Sequence, residues 1–324
     1  MVEETSPHTS WRPRATPGVL AARARMLARI RAFFAERAVM EVETPLLSRY
    51  AATDPAIESL RVEGEGACWL QTSPEFPMKR LLAAGSGSIY QICKVFRGGE
   101  RGSRHHPEFS LLEWYRPGLA VDDLIGEVAA LVRVVLGLPR LPAERIAYRD
   151  LFRAALGIDP WSASPAQLRE AALRRELPGI DGLSLDTDGW LDLLLVSTLE
   201  SGLGRGRLTF LYHYPPSQAA LARLTVAEVP VAERFELYLN GMELANGFHE
   251  LSDAAEQRRR FERDLARRER AGQRVVPADR ELLSALSAGL PDCSGVALGL
   301  DRLLMVAVGA QHIDEVLAFP VDRA

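Results

Sequence analysis

Between Ile92 and Arg116 the chain reads I-C-K-V-F-R-G-G-E-R-G-S-R-H-H-P-E-F-S-L-L-E-W-Y-R. Arg97, Arg101 and Arg104 crowd together there with Glu100, His105 and His106. Guanidinium groups present planar, charged pairs of donors that suit phosphate or carboxylate ligands. Two apolar runs flank this stretch, Ser88–Phe96 and Phe109–Tyr115, and predict antiparallel strands joined by a glycine-containing connection. The connection is far longer than a tight turn, and long loops inside compact domains are functional or disordered. Strong strands on both sides favour function, although a solvated basic loop has the same local sequence.

Other charged residues capable of chemistry sit in distant segments: Glu75, Glu113, Glu243, Glu250 and Arg302. Glu243 and Glu250 lie seven apart with Asn246-Gly247 between them. Odd spacing puts them on opposite faces of a flat strand, so they converge only if the glycine bends or bulges the chain. Two converging carboxylates and an asparagine would make a hard-oxygen site for Mg²⁺ bridging phosphates. A pair of unrelated surface glutamates fits the same spacing. Several other chemistries are excluded. Neither lysine follows a glycine, so there is no G-x-x-x-x-G-K-[ST] loop; G-x-S-x-G is absent, and His249-Glu250 lacks a second histidine for zinc. Cys68, Cys93 and Cys293 are far apart, without a C-x-x-C pair, and predict free thiols. Gly202, Gly204 and Gly206 precede a strand instead of following one, which predicts a turn and not a nucleotide loop.

The elements that must position these residues follow from periodicity. Residues 1–17, with three prolines, predict a flexible lead-in. Apolar residues at three- and four-residue spacing predict a helix from Val19 to Ala38, and Met40–Thr44 a short strand stopped by Pro45. Ala67–Thr72 predicts a strand, and Ser73-Pro74-Glu75 a helix start with Ser73 as N-cap. Ala120–Leu136 predicts an amphipathic helix. Residues 139–206 change character, and predict a helical insertion packed on the main sheet. Glu233–Leu239 and Met242–Leu251 predict strands across an Asn240-Gly241 turn. Asp253 and Glu256 cap a highly charged helix that reads as a solvated face. Ser294–Leu298 is a last strand before Gly299-Leu300-Asp301-Arg302 and an apolar helix. Hairpins outnumber helical crossovers, so the fold class is α+β, a mixed, mainly antiparallel sheet flanked by helices.

The 324 residues are 47% hydrophobic and 25% charged, a globular composition with ample core. A net charge of −4 opposes a nucleic-acid-coating role but leaves room for a local cationic pocket. Only Lys79 and Lys94 among the 39 basic residues are lysines. The acidic, polar N-terminus carries no apolar signal core, and no apolar run reaches the ~18 residues of a membrane helix, which predicts a cytoplasmic protein.

Three segments resemble, in order, the three signature motifs of class II aminoacyl-tRNA synthetases. The helix at 19–38 with M-E-V-E-T-P at 40–45 is similar to motif 1, which implies a homodimer interface. F-R-(eleven residues)-F at 96–109 resembles motif 2, and G-L-D-R at 299–302 motif 3. S-P-E-F-x-M-K-R at 73–80, R-H-H-P-E-F at 104–109 and E-L-A-N-G-F-H-E at 243–250 point to the lysyl branch. The resemblance covers residues 18–324 and implies a single class II catalytic domain. The lysyl-tRNA synthetases carry an N-terminal anticodon-reading barrel, for which the twenty residues before motif 1 leave no room. That architecture resembles the synthetase paralogues that attach (R)-β-lysine to a lysine of elongation factor P, with no tRNA anticodon recognition and no membrane partner. Ser73 stands where tRNA-charging enzymes have alanine, and Ala297 where they have glycine.

This resemblance implies an ATP-dependent ligase using Mg²⁺, which forms an aminoacyl adenylate and passes it to a protein lysine. Arg97 would hold the α-phosphate and substrate carboxylate, and Arg302 the γ-phosphate. Phe109 would stack on adenine, with Gly99, Glu100, His105, His106, Leu244 and Gly299 also lining the ATP site. Glu243 and Glu250 would coordinate Mg²⁺ or the amino acid. Ser73, Glu75, Glu113, Tyr115, Asn246 and Ala297 would form the amino-acid pocket. Gly99 stands where motif 2 has glutamate, and Glu100 follows it, which implies a local shift of the carboxylate. A truncated synthetase charging α-lysine and a non-catalytic regulatory paralogue are the alternatives.

Overall fold

The computed structural model describes residues 11–324 apart from Glu65 and Ala67. Helix α1 (Pro17–Ala35) starts with proline at its first position, and the Thr16 hydroxyl accepts from the Val19 N–H. It buries Met26, Ile30, Phe33 and Phe34, the stripe read from the sequence. Strand β1 (Met40–Glu41) follows, and then β2 (Leu47–Ser48), β3 (Arg61–Val62) and β4 (Cys68–Leu70), which form a small sheet in the order β2-β4-β3. Helix α2 (Glu75–Ala83) leads into the long hairpin of β5 (Ile89–Phe96) and β6 (Glu108–Pro117). Helix α3 (Val121–Leu136) ends on Gly137 in the left-handed conformation, φ 69°.

Next come β7 (Ala143–Ala147), α4 (Tyr148–Leu156), α5 (Pro165–Arg174) and α6 (Thr187–Leu194). Strands β8 (Leu208–Tyr214), β9 (Ala232–Leu239) and β10 (Met242–His249) complete one half of the sheet. Helices α7 (Ala254–Arg270) and α8 (Arg280–Gly289), strand β11 (Cys293–Gly299) and helix α9 (Leu300–Val308) close the chain. The main sheet has eight strands in the order β1-β5-β6-β11-β10-β9-β8-β7. It is parallel only at its two ends, β1 with β5 and β7 with β8.

Several expectations shift by small amounts. The N-terminal lead-in falls mostly outside the described residues, but its end is held: the N–H groups of Arg14 and Ala15 donate to the carbonyls of Ala318 and Leu317 at 2.8 and 3.1 Å. The stretch 139–206 contributes helices and also an edge strand, β7, because its alternating Glu144 and Ile146 pair in register with β8. Within it, Gly204 is a turn residue as expected. Its φ is +71°, and a Cβ there would stand 2.5 Å from Leu239 Cα. Pro74 occupies the cap position of α2 in place of Ser73.

Strand alternation separates the faces of the sheet. Leu112 and Trp114 of β6 with Val296 and Leu298 of β11 join the main core under α1, α3 and α9. Glu113 and Tyr115, Gly295 and Ala297, and Asn246 and Phe248 line a cavity on the other face. Asp301 locks the core side. It pairs with Arg23 of α1 and accepts the Ser110 N–H of β6 at 2.6 Å, at 1% exposure. Arg23 also donates to the Val316 carbonyl at 2.9 Å. Removing one partner of a buried ion pair leaves an uncompensated charge. Asp301→Ala therefore lowers unfolding free energy by about 3 kcal/mol, read as a reduced urea midpoint with unchanged slope.

Candidate active site

A cavity of about 1530 Å³ runs across the open face of the sheet. The β5–β6 hairpin supplies one side of it. Its ladder continues one pair beyond the strands, with the Arg97 N–H donating to the Pro107 carbonyl at 2.9 Å. The loop tip is braced: the Gly98 N–H donates to Glu58 O at 2.7 Å, and a Cβ on Gly98 would lie 2.9 Å from Glu58 Cγ. Gly99 follows with φ +74°, and Glu100 turns back to within 3.6 Å of Arg97. The positive φ at Gly99 lets the carboxylate one position later return to the arginine.

Arg97 is aimed inward by one bond to the Thr72 carbonyl at 3.3 Å, and its guanidinium stands 5.2 Å from the centre of the Phe109 ring. Most of its donors have no partner among the described residues. Arg302, in the first turn of α9, donates to the Glu243 carbonyl and carboxylate at 3.0 and 3.2 Å. It also donates to His105 Nε2 at 2.7 Å. Burial and then the Arg302 charge hold the His105 pKa below its ordinary value, which keeps the ring neutral. Arg104 instead braces the wall, paired with Glu200 at 3.3 Å and donating to Gly241 O. His106 is 8% exposed and accepts the Val321 N–H at 3.0 Å. Leu244 and Gly299 lie side by side on the same wall.

At the other side α2 meets β6 and β11 in an acidic cluster. Ser73 Oγ accepts the Glu75 N–H at 3.0 Å and donates to Glu113 Oε2 at 2.7 Å. The Tyr115 hydroxyl donates to Glu113 Oε1 at 2.6 Å. Burial, then the charge of Glu75, pushes the Glu113 pKa up to about 7. Lys79 Nζ lies 2.6 Å from both Glu75 Oε1 and Glu250 Oε2. The Lys79 ammonium occupies Glu250 Oε2, while Glu250 Oε1 is buried without a donor among the described residues. Burial with Glu75 and Glu113 nearby pushes Glu250 up, against the pull of Lys79. An orphaned buried oxygen beside an open cavity fits a ligand ammonium.

A third group lies on β9 and β10. Glu236 accepts from Arg234 and from the Tyr238 hydroxyl. Burial first and the Glu236 charge second raise the pKa of Glu243, and burial first and the Glu243 charge second raise that of Glu200. Among the described residues no three acidic, histidine or cysteine side chains gather closely enough to hold a metal by themselves. Glu236 and Glu243 still repel each other, which suits a divalent cation whose remaining ligands are phosphate oxygens and water.

The family model for class II tRNA synthetases (D, K and N) matches residues 4–323. This chain belongs to that family. The elongation factor P–(R)-β-lysine ligases of Salmonella dublin and Salmonella gallinarum are each 48% identical to it over 322 residues. The alignment covers 97% of this chain and 98% of each relative, and the same holds for the ligase of Salmonella paratyphi B. The eight-stranded mixed sheet flanked by helices is the class II architecture expected from the motifs.

Against this family frame the geometry brings most of the expected residues together and separates one pair. Arg97, Glu100, His105, His106, Phe109, Glu243, Gly299 and Arg302 share the cavity with Ser73, Glu75, Glu113, Tyr115, Asn246 and Ala297. Glu243 and Glu250, expected to share a metal, fall into different clusters, Glu243 against Arg302 and Glu250 against Lys79. The bulge that the spacing required does exist, but between Glu243 and Ala245, not at Gly247. It sets Glu243 on the face of Asn246 and Glu250, but a strand rise of ~3.3 Å per residue then keeps the two glutamates far apart along that face. Gly247 is glycine for another reason: a Cβ would stand 2.6 Å from Phe235 Cζ and 2.8 Å from Val296 Cβ.

Sequence reasoning missed Lys79, Glu236, Arg234 and Gly295. Lys79 had a signal, as one of two lysines in an arginine-rich chain. Glu236 shares the period-two face of Arg234 and Tyr238 on β9. Nothing local marks Gly295, whose role depends on what packs over it.

Proposed function

We propose that this protein activates (R)-β-lysine with ATP and transfers it to a lysine side chain of elongation factor P. The observation that carries this reading is one cavity lined by the guanidinium groups of Arg97 and Arg302 and by the Glu75 and Glu113 carboxylates, with the Glu250 carboxylate buried next to them. Such a cavity matches a substrate with a carboxylate at one end and ammonium groups at the other, beside a triphosphate. The near full-length similarity to ligases named for this reaction supports the same assignment.

In the first step the substrate carboxylate attacks the α-phosphorus of ATP, forming the acyl–phosphate bond and expelling pyrophosphate. Negative charge builds on the α-phosphoryl oxygens, and prepositioned guanidinium groups lower that barrier. Arg97 is the residue for this task, with Phe109 under the base and Arg302 toward the terminal phosphate. Mg²⁺ would be held by Glu236 and Glu243 and would neutralise phosphate charge. In the second step an unprotonated lysine amine of the acceptor attacks the acyl carbon, AMP leaves, and an amide forms. Ser73 and Ala297 line the wall of the amino-acid pocket. A hydroxyl and a methyl there shift selectivity among lysine isomers by ~1–3 kcal/mol. Exposed Met40 in the motif 1 segment, with exposed Leu46 and Leu47 just after it, supports a homodimer.

Purified protein with ATP, Mg²⁺ and single amino acids is expected to exchange pyrophosphate most strongly with (R)-β-lysine, and then to label elongation factor P. Exchange that prefers α-lysine, with transfer to tRNA and not to elongation factor P, would sink the reading. No exchange with any amino acid would support a purely regulatory binding protein.

The pH dependence follows from Glu113. Its carboxyl is raised from 4.5 to about 7, so it is protonated in the empty site at low pH. A bound ammonium needs the ionised form, so the amino-acid KM rises by up to about tenfold per unit as pH falls below 7. In the empty protein the sign is opposite. The raised carboxyl contributes stability that is full below 4.5 and is lost as pH rises through about 7. Steady-state KM profiles and melting curves of wild type against Glu113→Gln check both directions.

A further inference from the structure

Lys79 stands apart from the basic groups that line the cavity, buried beside them. Its side chain is 2% exposed, and it lies one helical turn from Glu75 and 2.6 Å from Glu250. The groups around it are Glu75 from α2, Glu113 from β6, Glu250 after β10 and Cys293 of β11, with the Tyr115 hydroxyl on Glu113. Tyr115 and Cys293 are both held neutral, their pKa values raised by burial. Once all three are ionised, the carboxylates of Glu75, Glu113 and Glu250 meet one fixed cation and leave a balance of two negative charges.

We propose that Lys79 is a built-in counter-ion that sets the pocket's charge to match two ammonium groups, and so is a specificity-determining positioning residue for diamino acids. This inference rests on the reading of the cluster as the amine pocket. The physical basis is the cost of isolated buried charge. Three uncompensated carboxylates in one dry cluster would not all ionise. Protonated carboxyls no longer attract ammonium, so a pocket without the lysine holds dications more weakly. Lys79 pulls the Glu250 pKa down against burial and holds Glu250 and Glu75 in place, so the cluster ionises more readily when the diamine arrives and completes neutrality. A ligand with a single ammonium leaves one carboxylate uncompensated, which is the basis for discrimination. The ammonium itself stays protonated, because Glu250 and Glu75 raise its pKa against the effect of burial, so it is no nucleophile for the adenylate.

The charge count makes a prediction that packing does not. Lys79→Met keeps the side-chain length and removes the cation. Lys79→Met/Glu250→Gln removes one charge of each sign and restores the balance of two. Calorimetry with (R)-β-lysine, which needs no turnover, is expected to give at least tenfold weaker binding for Lys79→Met at pH 7. Binding by the double variant is expected to stay below wild type, because Glu250 faces the ligand, but to exceed that of Lys79→Met by at least about threefold, since the charge balance is restored. In pyrophosphate exchange the Lys79→Met loss appears in KM, recovers as pH rises toward 9, and leaves kcat within about threefold. A double variant as impaired as the single one, or more so, overturns the counter-ion and makes Lys79 a packing residue. An equal, pH-independent fall in kcat does the same. Should Lys79→Met fail to fold, the double variant alone decides, since a packing role predicts that it fails too. Wild-type protein that binds (R)-β-lysine but never exchanges pyrophosphate sinks the proposed reaction, while the calorimetric comparison still tests the counter-ion.

Discussion

Arg97→Ala is expected to lower adenylate formation by about 10²–10³-fold, the usual cost of removing one preorganised donor from a developing oxyanion. The fold survives this change. Among the described residues the Arg97 side chain makes one hydrogen bond, to Thr72 O at 3.3 Å, and a 3.6 Å contact with Glu100 at comparable partial exposure. Its remaining donors face the cavity, so deletion removes an interaction made to the reacting phosphate and leaves no buried partner orphaned. The loss therefore appears in kcat and kcat/KM together. Pyrophosphate exchange measures the loss, and far-ultraviolet circular dichroism with a melting curve establishes that the protein is folded. An Arg97→Ala protein that keeps more than a tenth of wild-type exchange would mean that the hairpin loop is not the nucleotide grip. Lys94, on the same hairpin, is a useful contrast. It is half-exposed, lies 3.3 Å from Glu108 and points away from the cavity, so its removal leaves exchange unchanged.

Gly295→Ala is expected to raise the amino-acid KM by about a hundredfold, the order of loss for a misplacement of about 1 Å in a catalytic pocket. A Cβ at this position would overlap the Tyr115 ring and stand 2.5 Å from Glu250 Oε1. Gly295 pairs with Tyr115 on one side and with Phe248 on the other, in the middle of the antiparallel ladder. The backbone cannot retreat there, so the tyrosine and the glutamate must move. Two residues along the same face, Ala297 carries its methyl between Glu113 and Asn246. Position 297 accepts a methyl and position 295 does not, because Tyr115 covers only Gly295. The nucleotide side, built from the hairpin and α9, is untouched. A nucleotide-binding titration on Gly295→Ala is thus expected to match wild type while amino-acid binding collapses. Unchanged amino-acid KM would place the amine pocket elsewhere.

These two residues mark the boundary between what local sequence encodes and what it does not. Arg97 was legible because its signal is local: two β-rich runs, a long charged loop, and arginine, glycine and histidine types that suit phosphates. Helix α1, the β5–β6 hairpin, the Asn240-Gly241 turn and helix α9 were legible for the same reason. Each rests on a period of 3.6 or 2, or on a cap or turn residue within a few positions. The motif resemblance added the order of the three segments, and with it the class II sheet.

Register and partner choice were not legible. Whether Glu250 meets Glu243 or Lys79 depends on where one extra residue enters β10. The bulge sits at Glu243–Ala245, where the strand leaves the tight Asn240-Gly241 turn, and not at the glycine that looked able to supply it. Gly247 and Gly295 are glycines because Phe235 and Tyr115 pack over them from neighbouring strands. The partners of Asp301 are similarly remote: Arg23 is 278 residues away and Ser110 is 191. The sequence by itself determined the element types, the class of fold and the cationic loop, since backbone propensity and side-chain period act over a few residues. Only the tertiary structure decided which carboxylates share a charge cluster and that Lys79 lies among them. Electrostatic coupling acts through space between chain segments, at distances that strand pairing alone sets.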